Sequence, residues 1–115
     1  MSDLFAERFA AVRQRFAAKL DARIDEIEAT LPELGLGGSR DKLAHAHRRA
    51  HDLCGVGPTM GFVATGQAAR SIERVMLAAV KSNRALTEKE VAQVRDGVAR
   101  LRSAASAETK TAGQE

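Results

Sequence analysis

Residues 2–31 read SDLFAERFAAVRQRFAAKLDARIDEIEATL. Phe5, Phe9, Val12, Phe16, Leu20, Ile24, Ile27 and Leu31 recur there at steps of three and four. That is the period of an α-helix with one apolar face. Ser2 is placed to cap its start and Pro32 to stop it. At about 1.5 Å per residue the helix would be about 44 Å long. The Phe series is assigned to the core, and the helix is long enough to extend past a bundle and pair.

Outward from this stretch the pattern repeats. Glu33-Leu34-Gly35-Leu36-Gly37-Gly38 is too glycine-rich to continue a helix and reads as a loop. Ser39 reads as the N-cap of a second helix, with Asp41 in its first turn and Leu43, Ala46, Ala50 and Leu53 as its stripe. Gly55-Val56-Gly57-Pro58 reads as a helix-ending turn. A third helix is expected from about Thr59–Gly61 to about Asn83, with Ala69, Ile72, Val75, Met76 and Ala79 inward. Thr87-Glu88-Lys89-Glu90 is a capping box, followed by Val91, Val94, Val98 and Leu101. After Ala105 the chain turns polar, and residues 106–115 are expected to be a disordered tail. The expectation is therefore all-α: one domain over residues 1–105, an up-down-up-down antiparallel four-helix bundle.

Composition agrees and excludes several classes. The chain has 115 residues, 44% hydrophobic, with no Trp, no Tyr and only four Phe. β-branched and aromatic residues are sparse, which disfavours a β-sandwich or barrel. A single cysteine, Cys54, excludes an internal disulfide framework and a CxxC zinc site. No stretch reaches transmembrane length, and Met1-Ser2-Asp3-Leu4 does not open a secretory signal. A cytoplasmic location and no membrane partner are the expectations. The net charge of +3 is too small to imply nucleic acid.

All three histidines lie in Ala44-His45-Ala46-His47-Arg48-Arg49-Ala50-His51-Asp52-Leu53-Cys54-Gly55. On a helical wheel His51 points about 120° from the apolar stripe, so it is exposed. Arg48 and Gly55 share its side, His47 lies between His51 and the core, and His45 falls on the opposite flank. Neutral imidazole is a nucleophile near pH 7. A glycine one turn later would let another protein's active site approach the ring. A carboxylate on the ring's second nitrogen would fix the tautomer and make the free nitrogen more nucleophilic. Glu73, at the rim of the third helix, is the candidate.

These residues resemble a histidine-containing phosphotransfer (HPt) domain, whose pattern is roughly H-x-L-K-G, a second glycine, then L-E. His51, Leu53, Gly55, Gly61 and Ile72-Glu73 stand in register with it, over about residues 44–80. The resemblance implies that His51 accepts a phosphoryl group from a receiver-domain aspartate or a kinase and passes it on. It implies that Glu73 orients the ring, and that the partners are a sensor histidine kinase and response regulator receiver domains. Gly55, Cys54, His47 and Asp52 would lie in the docking surface. The family's carriers have no ATP machinery, and no GxxxxGK[ST] occurs here. No cofactor of the chain's own is expected; Mg²⁺ would belong to the receiver. One departure stands out: Cys54 occupies the usual lysine position. Arg48 or Arg70 could compensate the phosphoryl charge instead. Residues 39–54 carry a net +2 and residues 59–84 a net +3, against −1 for residues 2–31. Such a basic excess suits an acidic receiver and would raise association rate.

Plainer alternatives exist for the same residues. His45 reads as surface, His47 as packing at the helix boundary, and Cys54 as a half-buried small hydrophobe. Glu73 could instead pair with Arg70 or Lys81. The spacing of His47, His51 and Cys54 could ligate Zn²⁺, although no fourth ligand is evident. A small basic nucleic-acid-binding protein is the other class, but stacking aromatics and a dense recognition helix are lacking.

Overall fold

A computed structural model describes residues 2–113, with side chains from Asp3 to Thr111. Four helices follow in order: α1 (Ser2–Ala29), α2 (Arg40–Thr59), α3 (Val63–Lys81) and α4 (Glu88–Gly113), with a 3-10 turn at Leu31–Glu33. Short connections make chain neighbours antiparallel, as expected for an up-down-up-down bundle. The α2–α3 pair is packed most extensively, followed by α3–α4 and α1–α4, while α1 and α2 touch little. The molecule is long and thin, 55 × 22 × 18 Å.

The expected stripes form the core. Leu20, Ile24 and Ile27 of α1 and Leu43, Ala46, Ala50 and Leu53 of α2 belong to one buried cluster. Ala69, Ile72, Met76 and Ala79 of α3 and Val94, Val98 and Leu101 of α4 complete it. Arg102 of α4 bonds Asp25 at 2.8 Å and Glu28 at 2.9 Å, tying α4 to α1. At one pole Leu86 N–H donates to Leu34 C=O, joining the two loops there.

Local caps behave as the residue types dictate. Ser39 Oγ accepts from Lys42 N–H at 3.2 Å. Thr87 and Glu90 exchange both bonds of the capping box, at 2.9 and 3.1 Å. Those bonds, with the Arg84 guanidinium foremost, hold the Glu90 carboxyl down at about 2. Ser2 as a cap lies outside the described side chains.

Four expectations are corrected. First, α1 stops at Ala29 rather than Leu31; buried Thr30 turns its hydroxyl onto Ile27 C=O, and Pro32 sits in the 3-10 turn that follows. Second, Gly55-Val56-Gly57-Pro58 does not end α2, which runs on to Thr59. The stop is Gly61, at φ +83°, in a Schellman motif: Phe62 N–H reaches Gly57 C=O and Gly61 N–H reaches Pro58 C=O. Gly57 is buried, and a Cβ there would come within 3.0 Å of Phe62 O and 3.3 Å of Gly66 Cα. Its role is close helix packing, not helix breaking. Consequently α3 begins at Val63, later than expected, and ends at Lys81.

Third, residues 106–113 are not a disordered tail; α4 continues through them to Gly113. Glu108 gives that extension a purpose. Its carboxylate accepts from Ala64 N–H, Thr65 N–H and the Thr65 hydroxyl at 3.1, 2.7 and 2.6 Å. Phe62 cannot cap α3 with its own side chain, so the cap arrives from α4. Residues 114–115 of the expected tail lie outside the described residues. Fourth, Phe5, Phe9 and Val12 are not core: they are 76%, 37% and 40% exposed. The core seam of α1 begins at Phe16, whose ring meets Phe62 edge-on at 5.2 Å.

Candidate functional site

His51 lies eight residues before the end of α2 and Glu73 ten residues after the start of α3. At about 1.5 Å per residue these are similar heights on two antiparallel neighbours. The two helices approach closely at that pole because Gly57 and Gly66 face each other without side chains. Rim residues of both helices therefore meet, and the His51 imidazole donates a hydrogen bond from Nδ1 to Glu73 Oε2.

The chemistry follows from that bond. An ionised carboxylate only accepts, so the proton of the neutral ring sits on Nδ1. Nε2 is then the unprotonated nitrogen, with its lone pair available. The His51 side chain is 69% exposed while that of Glu73 is 17% exposed. The imidazole faces solvent, and the carboxylate bonded to it is held against the bundle. Neither Arg70 nor Lys81 takes Glu73, in contrast to the plainer alternative.

Around the ring the residues sort by contact. His47 stacks beside His51, centroids 6.4 Å apart and planes 15° from parallel. His47 is half-buried, and its Nε2 is buried without a hydrogen-bond partner. Its place between His51 and the core is the one the wheel assigned. Asp52 lies 3.9 Å from Arg49, which also forms an ion pair with Glu26 of α1 at 2.9 Å. Cys54 is half-buried and packs on the core, as a small hydrophobe does. Gly55 is exposed, and a Cβ built there would meet nothing within 4 Å. Nothing inside the molecule requires a glycine at that position.

Arg48 and Arg70 are exposed and make no hydrogen bond or ion pair among the described residues. They sit one turn before His51 and Glu73 respectively, without contacting either. Among the described residues no three His, Cys, Asp or Glu side chains converge to hold a metal ion. The His47, His51 and Cys54 set is thus not assembled. Sequence reasoning missed Glu108 and the Gly57–Gly66 contact, both of which set the position of α3. The two glycines were visible in the chain, but only the packing shows that they oppose each other. Glu108 carried no signal, because its partners are 43 and 44 residues away.

A family model described as Hpt domain covers residues 11–104. No curated protein and no solved structure matches the chain.

Proposed function

The chain belongs to the Hpt domain family, and on that premise we propose that His51 is its phosphoryl-carrying residue. Hpt domains serve phosphotransfer in two-component phosphorelays, where they meet receiver domains and kinases. The observation that carries the proposal is the exposed His51 ring held through Nδ1 by Glu73. In the forward step Nε2 attacks the phosphorus of a receiver's aspartyl phosphate. The N–P bond forms as the P–O bond to the aspartate breaks, and the carboxylate leaves with the electron pair. The ring then carries both the Nδ1 proton and the phosphoryl group, and so a positive charge. Glu73 stabilises that charge and keeps Nε2 aimed outward. The reverse step returns the phosphoryl group to a second receiver.

Other residues take supporting roles. Gly55 leaves the surface beside the ring bare, so a receiver's active-site rim can reach Nε2. Arg48 and Arg70 offset phosphoryl charge where Cys54 replaces the usual lysine. Asp52, Cys54 and His47 complete the docking surface. No helix among the described residues is long and apolar enough to cross a membrane, and the proposed site of action is the cytoplasm.

Incubation with a phosphorylated receiver domain tests this. The native chain should acquire an acid-labile, base-stable phosphate, and His51→Gln should acquire none. A phosphate that survives His51→Gln would overturn the proposal. Gly55 supplies a sharper discriminator. Gly55→Ala should raise stability by about 0.5–1 kcal/mol, because a helical glycine is replaced with no internal clash. A larger side chain, as in Gly55→Leu, should slow transfer while the chain stays folded. Arg48→Ala with Arg70→Ala should slow transfer as well.

A further inference from the structure

The first half of α1 has no role in the proposed site. Phe16 is the first buried residue of the helix and packs on Phe62 at the α2–α3 turn. Residues 2–15 run past that turn for about 20 Å. Helix α4 does not follow them far. Arg102 meets Asp25 and Glu28, so antiparallel α4 reaches only about the level of residue 14 at Gly113. On this arm Leu4 is 56% and Phe5 76% exposed, with Phe9 and Val12 beside them. Phe5 and Phe9 stack on one another, centroids 6.5 Å apart.

The charges around this apolar face are ordered. At about 100° per residue, Phe5, Phe9 and Val12 fall within an arc of about 60°, and Leu4 lies about 80° beyond its edge, across Arg8 and Arg15. Arg8 and Arg15 border the Phe5–Phe9–Val12 arc on the Leu4 side, and Arg13 borders it on the other. The Arg13 guanidinium lies 5.8 Å over the Phe9 ring. Asp3, Glu7 and Gln14 occupy the opposite side of the helix. The arm thus has an apolar front, guanidinium borders and an acidic back.

We infer that this arm binds an anionic lipid surface as an interfacial helix. Phe5, Phe9, Val12 and Leu4 enter the boundary between headgroups and acyl chains. Arg8, Arg13 and Arg15 reach headgroup phosphates at its edge, their stems lying along the apolar face. The carboxylates of Asp3 and Glu7 stay in water. The helix lies in the plane and does not span, in keeping with the lack of a spanning helix among the described residues. A second copy of this chain fits less well. Pairing two arms front to front sets the arginines of both beside one another and leaves the carboxylates outside. The absence of a membrane partner was expected because no stretch reaches transmembrane length, and an interfacial helix needs no such stretch.

Vesicle sedimentation with the full chain tests the arm. The chain should co-sediment with equimolar phosphatidylglycerol–phosphatidylcholine vesicles and not with pure phosphatidylcholine. Phe5→Ser combined with Phe9→Ser should weaken binding by about tenfold or more, with an unchanged thermal unfolding curve. The chain has no tryptophan, so Phe5→Trp gives a single reporter whose emission should shift to the blue on anionic vesicles. No sedimentation with anionic vesicles overturns the inference. So does equal binding by the double serine variant, which would place the contact on the basic α2–α3 face. An unshifted tryptophan overturns it too, as does a concentration-dependent dimer that requires Phe5 and Phe9 and excludes vesicles. None of these readouts depends on His51 phosphorylation.

Discussion

The two halves of α1 follow one apolar rhythm, yet they meet different fates. Leu20, Ile24 and Ile27 are at most 1% exposed, while Phe5 on the same helix is 76% exposed. Nothing in the periodicity separates them. The difference is the length of the neighbours: α2 and α3 turn back at Met60–Phe62, and α4 gives cover only to about the middle of α1. An apolar stripe states which face a helix will bury if something lies against it. Whether anything does is settled by where the other helices end.

The largest effect expected from breaking this contrast is in the covered half. Ile24→Ala should destabilise the protein by about 2–5 kcal/mol, through lost transfer energy and the cavity left behind. Denaturant unfolding monitored by circular dichroism would measure it. A loss under about 1 kcal/mol would mean that the covered half is packed more loosely than its burial indicates.

The boundary between covered and uncovered chain is sharpened by Glu108. Glu108→Ala strips two backbone donors and one hydroxyl at the start of α3 of their acceptor. It should cost about 0.5–2 kcal/mol, the range of a lost helix cap. Hydrogen exchange should quicken at Ala64 and Thr65 before it does in mid-helix.

A smaller effect lies at the far pole, where Glu90 joins Arg84 and the start of α4. Its carboxyl is depressed to about 2 from an ordinary 4.5 by hydrogen bonds from Arg84 and Thr87 N–H. A depressed carboxyl contributes stability above its unfolded value and loses it as the acid form fills. That share should therefore be intact above about pH 4.5 and fade on acidification towards about 2. Solvent screening keeps it modest. Glu90→Gln should flatten this part of the stability–pH curve; an unchanged slope would count against the depression.

The smallest effect belongs to the uncovered half. Phe5→Ser removes a large apolar side chain, but one with little folded-state contact. Its stability change should stay within about 0.5 kcal/mol. A loss of 2 kcal/mol or more would show that the arm is held by the bundle, and the contrast within α1 would disappear.

Local chemistry was legible before the fold was. The four helices, the Ser39 cap, the Thr87–Glu90 box and the inward stripes each depend on residues within a turn or two of one another. So does the exposure of His51, which follows from its angle to Leu43, Ala46, Ala50 and Leu53. The hydrogen bond to Glu73 was a conditional expectation: it needed α2 and α3 to be adjacent, and 22 residues separate the two side chains.

The sequence by itself determined where helices form and which face each would bury, because side-chain period and caps act over one or two turns. It also placed His51 on the outside, beside a glycine. Only the tertiary structure decided that α2 runs through Gly57 and Pro58, because Gly66 lies opposite. It alone extended α4 past Ala105, where Glu108 serves the distant start of α3. It alone left Phe5 and Phe9 uncovered. Helix ends and exposed faces depend on partners far along the chain, and a local pattern carries no record of how far those partners extend.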